Sequence, residues 1–588
     1  MQTSAGLPPC GQALVCSVFI QSSINFRTMK RIIILLSLFG LLPAGLHAEA
    51  VGLEQARQKA MQVLGTSQAM AVDGLTTATR AGDVEPAYYL FTAPQGGYAI
   101  ITGEDSFPDV VAYSLRGKLV EGRQLPPAMQ WLLDLYAQCV EAVRTGEADA
   151  PEKLPATRAS VPVVEPLVPT SWGQDAPYNL LCPDGCPSGC VATATTQIMY
   201  FHRWPEQGTG QVMTYYNSQP LMENLDEHRY DWDAMRLTTD DYQDNEAARQ
   251  AVARLTYDVG LAVKMEYSRI GSGSTDSRTV RALYTNFGYR ASTLRALDRE
   301  CYTADEWMQM ISNELVSRRP LYYGGVSPEG GGKDAAGHAF VLDGTDVRGL
   351  VHINWGWDGY CDGYFDIALL NPSKYAFTAN QGMVIGIQPA RDGETGTYTP
   401  RLTQLTALES RYTQTSYGKT GSGSFEVDLP SLYNPSDYTY DGYATLALFK
   451  GDGTLVKQDI KSGKAYIAIQ LDYGYYVKDK AYAVTCKLPA GLADGEYVIR
   501  VVTREKQSTE WALPEVRGGW KNNYIRAVVA GGKVTFDAQE ATGIQAPEAA
   551  SPAASPLIYT LDGHPAGYSF DDLKRGIYVK DGKKVMKQ

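Results

Sequence analysis

The spacing of apolar residues upstream of residue 159 predicts a compact α+β domain. Residues 87–91 and 98–101 are two apolar runs separated by a Gly96-Gly97 turn, which is typical of a β-hairpin. Apolar side chains then recur at helical spacing from residue 127 to residue 144, which predicts an amphipathic helix. We therefore expect one folding unit over residues 51–158.

The next segment mixes helical and strand patterns. Residues 151–169 contain five prolines and little periodicity, which predicts a linker that a protease can reach. Beyond it, a helix follows Cys190, and apolar runs at 341–343 and 351–355 predict strands. We predict a second α+β domain over residues 159–392.

The last third of the chain is strand-like. Short Tyr- and Val-rich runs separated by Gly and Asp turns, such as 444–450 and 496–502, predict a β-sandwich over residues 398–540. An Ala/Pro-rich stretch then leads into three short apolar pieces, which predict a small β module over 541–588. These pieces are residues 557–559, 576–579 and 584–585.

The amino terminus has the three zones of a secretory signal within residues 1–50. A basic pair, Lys30-Arg31, precedes an apolar run of eleven residues, and Ala48-Glu49-Ala50 follows it. Such a run is short for a membrane-spanning helix. Met29 directly precedes the basic pair, so we interpret residues 1–28 as an upstream mis-start. A secreted or outer-surface protein is expected.

Composition narrows the possible partners. The 588 residues carry 53 basic and 65 acidic side chains, a net charge of −12, which disfavours a nucleic-acid surface. Of nine cysteines, Cys10 and Cys16 precede the signal, and seven remain. An odd number leaves at least one unpaired thiol, which needs either burial or a chemical role.

Cys190 is the candidate for a chemical role. It follows Gly189 at the predicted start of a helix, where the helix dipole favours a thiolate. The alternative interpretation is a small cysteine buried at a helix start.

Few histidines are available as its base. His202 follows Cys190 on the same predicted helix, about 18 Å away, and is excluded. His338 lies where a Gly-rich loop enters an apolar strand, a common place for catalytic groups. His352, in the next strand, reads as a packed structural histidine. Of the other three, His47 lies in the signal, His228 in a charged loop and His564 in the terminal module.

Two amides complete a candidate site for acyl transfer. Asn354 could accept the imidazole N–H of His338 and orient the ring. Gln174, with the backbone N–H of Cys190, could hold the oxyanion of a tetrahedral intermediate. This chemistry requires no cofactor and no metal.

Four blocks make the central segment resemble the streptopain family of papain-like cysteine proteases. They are residues 177–181, residues 189–199, residues 337–344, and residues 354–357 with 362–365. The resemblance implies a papain-like catalytic domain with Cys190, His338, Asn354 and Gln174 as its nucleophile, base, orienting amide and oxyanion donor. Protein or peptide substrates are implied as partners.

The resemblance also implies a substrate groove and a preference for an apolar side chain two residues before the cut. The implied groove positions are Gly271, Ser272, Gly273, Ser274, Val326, Gly337 and Trp355. The chain departs from the family at a lengthened loop over 327–336, a shortened loop over 373–382, and a compact stretch holding Cys182 and Cys186. These departures affect the groove rim rather than the chemistry.

Both flanking regions carry resemblances of their own. Residues 97–103 and the helix after them resemble the family's pro-domain, which implies an intramolecular inhibitor removed on activation. Residues 576–585 are similar to sorting domains of the type IX secretion route, which implies that machinery as a partner.

Several alternatives stay open. Cys182, Cys186 and Cys190 are spaced like metal ligands but lack a fourth, so a Cys182–Cys186 disulfide or buried thiols fit better. Trp355 and Trp357 are core residues, or they also shield the hydrogen bond to His338. The rival functions are an amidase or transglutaminase-type acyl transferase and a non-catalytic surface binder.

Overall fold

The computed structural model describes most of the chain after residue 49. The described residues are 50–72, 86–117, 119, 123–148, 161–326, 337–367, 381–410, 416–419, 423–463, 466–479, 481–519, 523–537, 558–560, 565–567, 576–580 and 583–587. Residues 1–49 of the expected signal region, the 151–160 part of the linker and the loop over 327–336 lie outside them. Most of the loop over 373–382 and His564 also lie outside.

Six α-helices occur in the described residues. They are α1 (Leu53–Leu64), α2 (Pro127–Arg144), α3 (Cys190–His202), α4 (Glu246–Ala262), α5 (Asp276–Asn286) and α6 (Ala304–Val316). The helix predicted over residues 127–144 is confirmed at both ends. None of the described helices combines the length and apolar character needed to cross a bilayer.

Twelve strands lie in the described part of the chain before residue 392. They are β1 (Met70–Ala71), β2 (Tyr88–Thr92), β3 (Tyr98–Thr102), β4 (Val110–Ser114), β5 (Gln211–Tyr216), β6 (Gln219–Asn224), β7 (Arg295–Asp298), β8 (Leu321–Val326), β9 (Gly337–Thr345), β10 (Val351–Asn354), β11 (Gly363–Phe365) and β12 (Gln381–Ile385). The predicted hairpin is β2 paired with β3. The two strands predicted after His338 are β9 and β10.

One ten-stranded sheet joins the upstream segment, residues 50–148, to the central segment, residues 161–392. Its order is β1-β2-β3-β4-β11-β10-β9-β8-β12-β7. The junction is antiparallel, with Tyr364 opposite Tyr113 and Phe365 opposite Ala112. The upstream strands therefore extend the central sheet, although the sequence places the two segments in separate units.

Side-chain contacts reinforce this junction. The Tyr113 and Tyr364 rings stack with centroids 5.3 Å apart. The Tyr113 hydroxyl donates to Asp346 at 2.9 Å. The Tyr98 hydroxyl donates to the Cys361 carbonyl at 2.6 Å. Hydrogen bonds and aromatic stacking thus fix the upstream segment to β11, to Cys361 just before it and to Asp346 in the turn between β9 and β10.

The two faces of the sheet carry different cores. On one face, α2 and α6 cover β8 and β9, where Trp131, Trp307, Phe340 and Trp355 are buried together. On the other face, α3 is enclosed by α4, α5 and the sheet. Residues 190–199 of α3 are all buried, and burying each large apolar side chain contributes about 1.5–3 kcal/mol. The helix that begins at Cys190 is therefore held rigidly.

Where the structure describes the downstream segment, residues 398–537, its regular elements are strands and one 3₁₀ turn. The strands are β13 (Thr403–Gln404), β14 (Glu409–Ser410), β15 (Ser416–Lys419), β16 (Phe425–Asp428), β17 (Leu432–Tyr433), β18 (Tyr440–Lys450), β19 (Leu455–Lys457), β20 (Ile467–Leu471), β21 (Tyr476–Val477), β22 (Ala483–Cys486), β23 (Gly495–Glu505), β24 (Glu515–Val516), β25 (Ile525–Ala530) and β26 (Lys533–Asp537). They form a seven-stranded sheet and two smaller sheets around one apolar core. The two runs from which the sequence predicts strands, 444–450 and 496–502, lie in the long paired strands β18 and β23.

The last described residues form a four-stranded sheet. Its strands are β27 (Ile558–Thr560), β28 (Pro565–Gly567), β29 (Gly576–Lys580) and β30 (Lys583–Lys587). Their order is β28-β27-β29-β30. The sequence predicted three of these strands and missed β28, because a Pro-Ala-Gly strand has no apolar alternation to reveal it.

Candidate active site

Cys190 is the first residue of α3, and Gly189 sets its direction. Gly189 has φ 90°, in the left-handed region that favours glycine. A Cβ there would lie 2.8 Å from the Met265 sulfur and 2.8 Å from the Ser272 carbonyl oxygen. Any residue other than glycine would displace Met265 or the Ser272 backbone. The sulfur is consequently presented from a tight turn, with Cys190 only 8% exposed.

His338, at the start of β9, forms a hydrogen bond with the Cys190 sulfur. The neighbouring backbone N–H groups of Ala339 and Val191 also donate to that sulfur. Burial by itself raises the pKa of Cys190, but the charge and hydrogen bond of His338 and the two N–H donors outweigh it and lower that pKa overall. These contacts favour a thiolate.

The pKa of His338 moves in the opposite direction. Burial by itself lowers it, but the charge of Cys190 and the hydrogen bond between them raise the pKa above its ordinary value. The Trp355 carbonyl adds to the rise, lying 3.2 Å from His338 Nε2. Because a carbonyl can only accept, Nε2 carries a proton and Nδ1 is left to face the thiol. The geometry favours a thiolate–imidazolium pair.

The predicted hydrogen bond from His338 to Asn354 is not present. Asn354 Nδ2 donates to the Thr170 carbonyl at 2.6 Å and to Gln197 Oε1 at 3.1 Å. Its Oδ1 accepts from Gln197 Nε2 at 3.0 Å and from the Gly356 N–H at 3.0 Å. The direct orienting role assigned to the amide is therefore wrong, because all its hydrogen-bonding groups are used elsewhere. The Trp355 carbonyl, one residue on, contacts the imidazole instead.

Asn354 still bears on the site through its position. Gln197 lies on α3, two turns after Cys190, so the amide pair connects the nucleophile's helix to the end of β10. The Gly356 N–H bond closes a turn around Trp355. Gln197 could not be identified from the sequence, because the spacing of residues on a helix does not show which buried position carries a hydrogen-bonding amide.

Trp355 is a core residue rather than a groove residue. It is fully buried and packs on Phe340 and Phe365, with centroids 4.7 and 5.0 Å away. Its indole N–H donates to the Cys361 carbonyl at 3.0 Å. The predicted substrate contact is thus wrong for Trp355. Trp357 is half-buried and meets His338 edge to face at 6.4 Å, so it is the tryptophan that covers the imidazole.

The other predicted groove positions lie close to Cys190. The Ser272 hydroxyl donates to the Pro187 carbonyl at 2.7 Å, and Gly273 bridges to Glu266, which fixes the loop 271–274 beside Gly189. Val326 pairs with Gly337 at the ends of β8 and β9, one residue beyond the Gly325–His338 pair. The structure brings this loop and these strand ends to the region around the sulfur.

Gln174 lies beside the start of α3. Its carbonyl accepts from the Ser188 N–H at 2.9 Å. The carbonyl of the preceding Gly173 accepts from the Thr193 hydroxyl at 3.2 Å. These bonds fix the backbone of residues 173–174 beside Ser188 and Thr193, on either side of Cys190 in the chain, and the Gln174 side chain is partly exposed.

The remaining described histidines are structural. Burial lowers the pKa of His202 to about 3, which keeps it neutral at the far end of α3. His352 Nδ1 lies 2.6 Å from Asp343, and His228 Nδ1 lies 2.9 Å from Asp258. The exclusion of His202 and the packed role predicted for His352 fit these contacts.

All seven cysteines of the described residues are free thiols. Burial raises the pKa of Cys182 to about 12, and it does the same for Cys361 and Cys486. Cys190 differs from these cysteines because its pKa is lowered. Between the alternatives for Cys182 and Cys186, the structure has buried thiols and no disulfide.

Comparison with known proteins identifies the class of enzyme to which this chain belongs. The Peptidase C10 family matches residues 172–365, and the family described as Spi protease inhibitor matches residues 48–140. Streptopain of Streptococcus pyogenes serotype M28 is 31% identical over 339 residues, covering 51% of this chain and 80% of streptopain. The protein is a cysteine endopeptidase. The chain belongs to the Peptidase C10 family.

The chain is also similar to proteins from two other organisms. The thiol protease/hemagglutinin PrtT of Porphyromonas gingivalis is 30% identical over 406 residues, covering 63% of this chain and 45% of PrtT. Among solved structures, the Prevotella intermedia prointerpain A fragment is 31% identical with a TM-score of 0.46, covering 55% of this chain and 99% of that chain. Active interpain A of Prevotella intermedia is 38% identical with a TM-score of 0.36, covering 40% and 100%.

Proposed function

We propose that the protein is a secreted endopeptidase made as an inactive precursor, in which Cys190 is the nucleophile and His338 the general acid and base. The single observation that carries this proposal is the hydrogen bond between the Cys190 sulfur and His338 at the start of a buried helix. Cys190 has an imidazole partner and a lowered pKa, whereas burial raises the pKa of Cys182 and Cys486. Such a pair is what a thiol needs to attack a peptide carbonyl.

The reaction then follows from the positions of the groups. The Cys190 thiolate attacks the carbonyl carbon, and the oxyanion is held by the Cys190 N–H and the Gln174 side chain. His338 gives its proton to the leaving amine as the C–N bond breaks. Water, deprotonated by His338, hydrolyses the thioester and restores the thiolate. Asn354 acts as a positioning residue through Gln197 and the Trp355 carbonyl.

The domain boundaries are part of the proposal. Residues 51–158 are the pro-domain, residues 159–392 the catalytic domain, residues 398–540 an accessory β-sandwich, and residues 541–588 a sorting module for type IX secretion. The contact of Trp131 with Gly325, beside His338, supports an inhibitory role for the pro-domain, since a Cβ at Gly325 would collide with the Trp131 ring.

The test uses the secreted full-length chain and a plain protein substrate. Cys190→Ala and His338→Ala abolish both substrate cleavage and removal of residues 51–158, whereas Cys486→Ala, which removes a buried thiol from the β-sandwich, retains both. Mass spectrometry locates the new peptide ends. Retained cleavage in Cys190→Ala would overturn the assignment, and ammonia release without peptide-bond cleavage would indicate an amidase or transglutaminase.

A further inference from the structure

Two glycines on neighbouring strands leave room for one carboxylate. Gly324 of β8 lies opposite Gly382 of β12. Asp276 Oδ1 is 3.2 Å from the position that a Cβ of Gly324 would occupy, and Oδ2 is 2.6 Å from the corresponding position at Gly382. Even a methyl group on either strand would crowd the carboxylate. Asp276 is therefore turned onto the sheet rather than into open solvent.

This carboxylate is close to the Cys190–His338 pair. Gly324 pairs with Ala339, whose N–H donates to the Cys190 sulfur. Tyr322, which donates a hydrogen bond to Asp276, also lies near enough to Cys190 to respond to its charge. Because positions two apart on a strand share a face, position 324 shares a face with groove position 326. The carboxylate thus lies against the strand on which the family resemblance implies groove position 326.

No cation in the described part of the chain pairs with Asp276. The two arginines of its own helix form ion pairs elsewhere, Arg278 with Glu266 and Arg281 with Asp437. The nearby charged group is another acid, Asp298, and burial raises the pKa of Asp276 to about 6. A half-buried carboxylate without a counter-ion costs stability, which is typical of functional sites.

Helix stabilisation does not explain this orientation. The start of α5 is already capped by Thr275, whose hydroxyl accepts from the Arg278 N–H at 3.3 Å. An acid in the first turn interacts favourably with the helix dipole from solvent as well. The paired glycines and the missing counter-ion therefore point to a ligand with a positive charge.

We propose that Asp276 forms the floor of the subsite for the substrate side chain two residues before the cut, and that this subsite selects lysine or arginine. This inference rests on the proposed function of Cys190 and His338. The aliphatic stem of such a side chain lies along β8 at Gly324, and its cationic head reaches Asp276. The family resemblance implied an apolar side chain at this position, and the carboxylate changes that expectation.

The test compares two fluorogenic peptides that differ only at the second residue before the cut, arginine in one and leucine in the other. The readout is the ratio of their kcat/KM values with the activated enzyme. The wild type prefers arginine, and Asp276→Asn lowers the ratio by about tenfold or more, since a charge-assisted hydrogen bond is lost. Asp276→Glu, which keeps the charge, retains a preference for arginine.

Asp305→Asn is the matched control, because it removes an exposed carboxylate from the first turn of another helix, α6, and leaves the ratio unchanged. A wild-type preference for leucine, an unchanged ratio in Asp276→Asn, or equal loss of preference in the Asn and Glu variants would each overturn the inference while leaving the proposed function intact. Wild-type enzyme that cleaves neither peptide nor any protein substrate overturns both.

Discussion

Asn354 and Gln197 exchange amide hydrogen bonds of 3.0 and 3.1 Å between the strand after His338 and the helix that begins at Cys190. Each amide satisfies the other inside a core where neither reaches water. The pair connects α3, which carries Cys190, to β10, which lies beside the strand that carries His338. It therefore helps to set the distance between the sulfur and the imidazole.

This pairing predicts coupled effects of substitution. Asn354→Ala and Gln197→Ala each leave buried amide groups unpaired, so each lowers the free energy of unfolding by about 1–3 kcal/mol and reduces kcat/KM. The double variant is little worse than either single variant, because one substitution already breaks the pair. Denaturant unfolding and peptide kinetics measure both. Loss of activity in Asn354→Ala with normal activity in Gln197→Ala would contradict a positioning role.

The opposed pKa shifts of Cys190 and His338 predict a bell-shaped pH profile of kcat/KM. Burial opposes both shifts, but mutual charge and hydrogen bonding lower the pKa of Cys190 and raise that of His338. Activity is lost at low pH as the thiolate gains a proton, and at high pH as the imidazolium loses the proton needed by the leaving amine.

Replacing His338 should move the acid limb of that profile. In His338→Asn, the thiol loses its main stabilising charge, so its pKa rises, and ultraviolet absorbance of the thiolate appears only at higher pH. Cys182, whose pKa burial raises to about 12, gives the reference titration of a structural thiol in the same protein. An unchanged Cys190 titration in His338→Asn would show that the imidazole does not stabilise the thiolate.

Gly189→Ala tests the turn that presents the sulfur. The alanine needs φ near 90° and meets the Met265 sulfur and the Ser272 carbonyl, so we expect a loss of about 1–3 kcal/mol in stability and strongly reduced kcat. Gly185→Ala is the matched control, because it has φ 68° with open space around its Cβ position. Equal effects of the two substitutions would attribute the loss to backbone strain alone.

Trp131→Ala should release the pro-domain more readily. The ring is buried against Gly325, next to His338 across the strand pair, and removing it costs about 3–5 kcal/mol of packing. Self-processing of the full-length chain, followed by gel electrophoresis over time, is then faster. Leu115→Ala, at an exposed apolar residue of the same segment, leaves the rate unchanged. Slower or unchanged processing in Trp131→Ala would contradict the proposed inhibitory contact.

Local features of the fold could be predicted from the sequence. The apolar spacing of α2 and the Gly-Gly turn between β2 and β3 are encoded within a few residues, and both predictions are confirmed. Cys190 and His338 could also be chosen as candidates from the sequence. A thiol after glycine at a helix start and a histidine at the start of an apolar strand are both local patterns.

Long-range partners could not be predicted in the same way. Asn354 lies two residues from His352 in the chain, but its contact with Gln197 depends on how α3 packs on β10. The burial of Trp355 likewise depends on Phe340 and Phe365. β4 and β11 lie on opposite sides of a proline-rich linker in the sequence, and such a linker predicts a domain boundary. No sequence pattern therefore predicts that the two strands share a sheet.

That shared sheet makes cutting the linker and freeing the enzyme two separate events. A cut between residues 148 and 161 breaks a covalent bond but leaves the Tyr113–Tyr364 stack and the bonds between β4 and β11 in place. The nicked protein is then a non-covalent complex whose dissociation depends on concentration. Dilution, or digestion of the detached fragment, completes activation, and a high local concentration delays it.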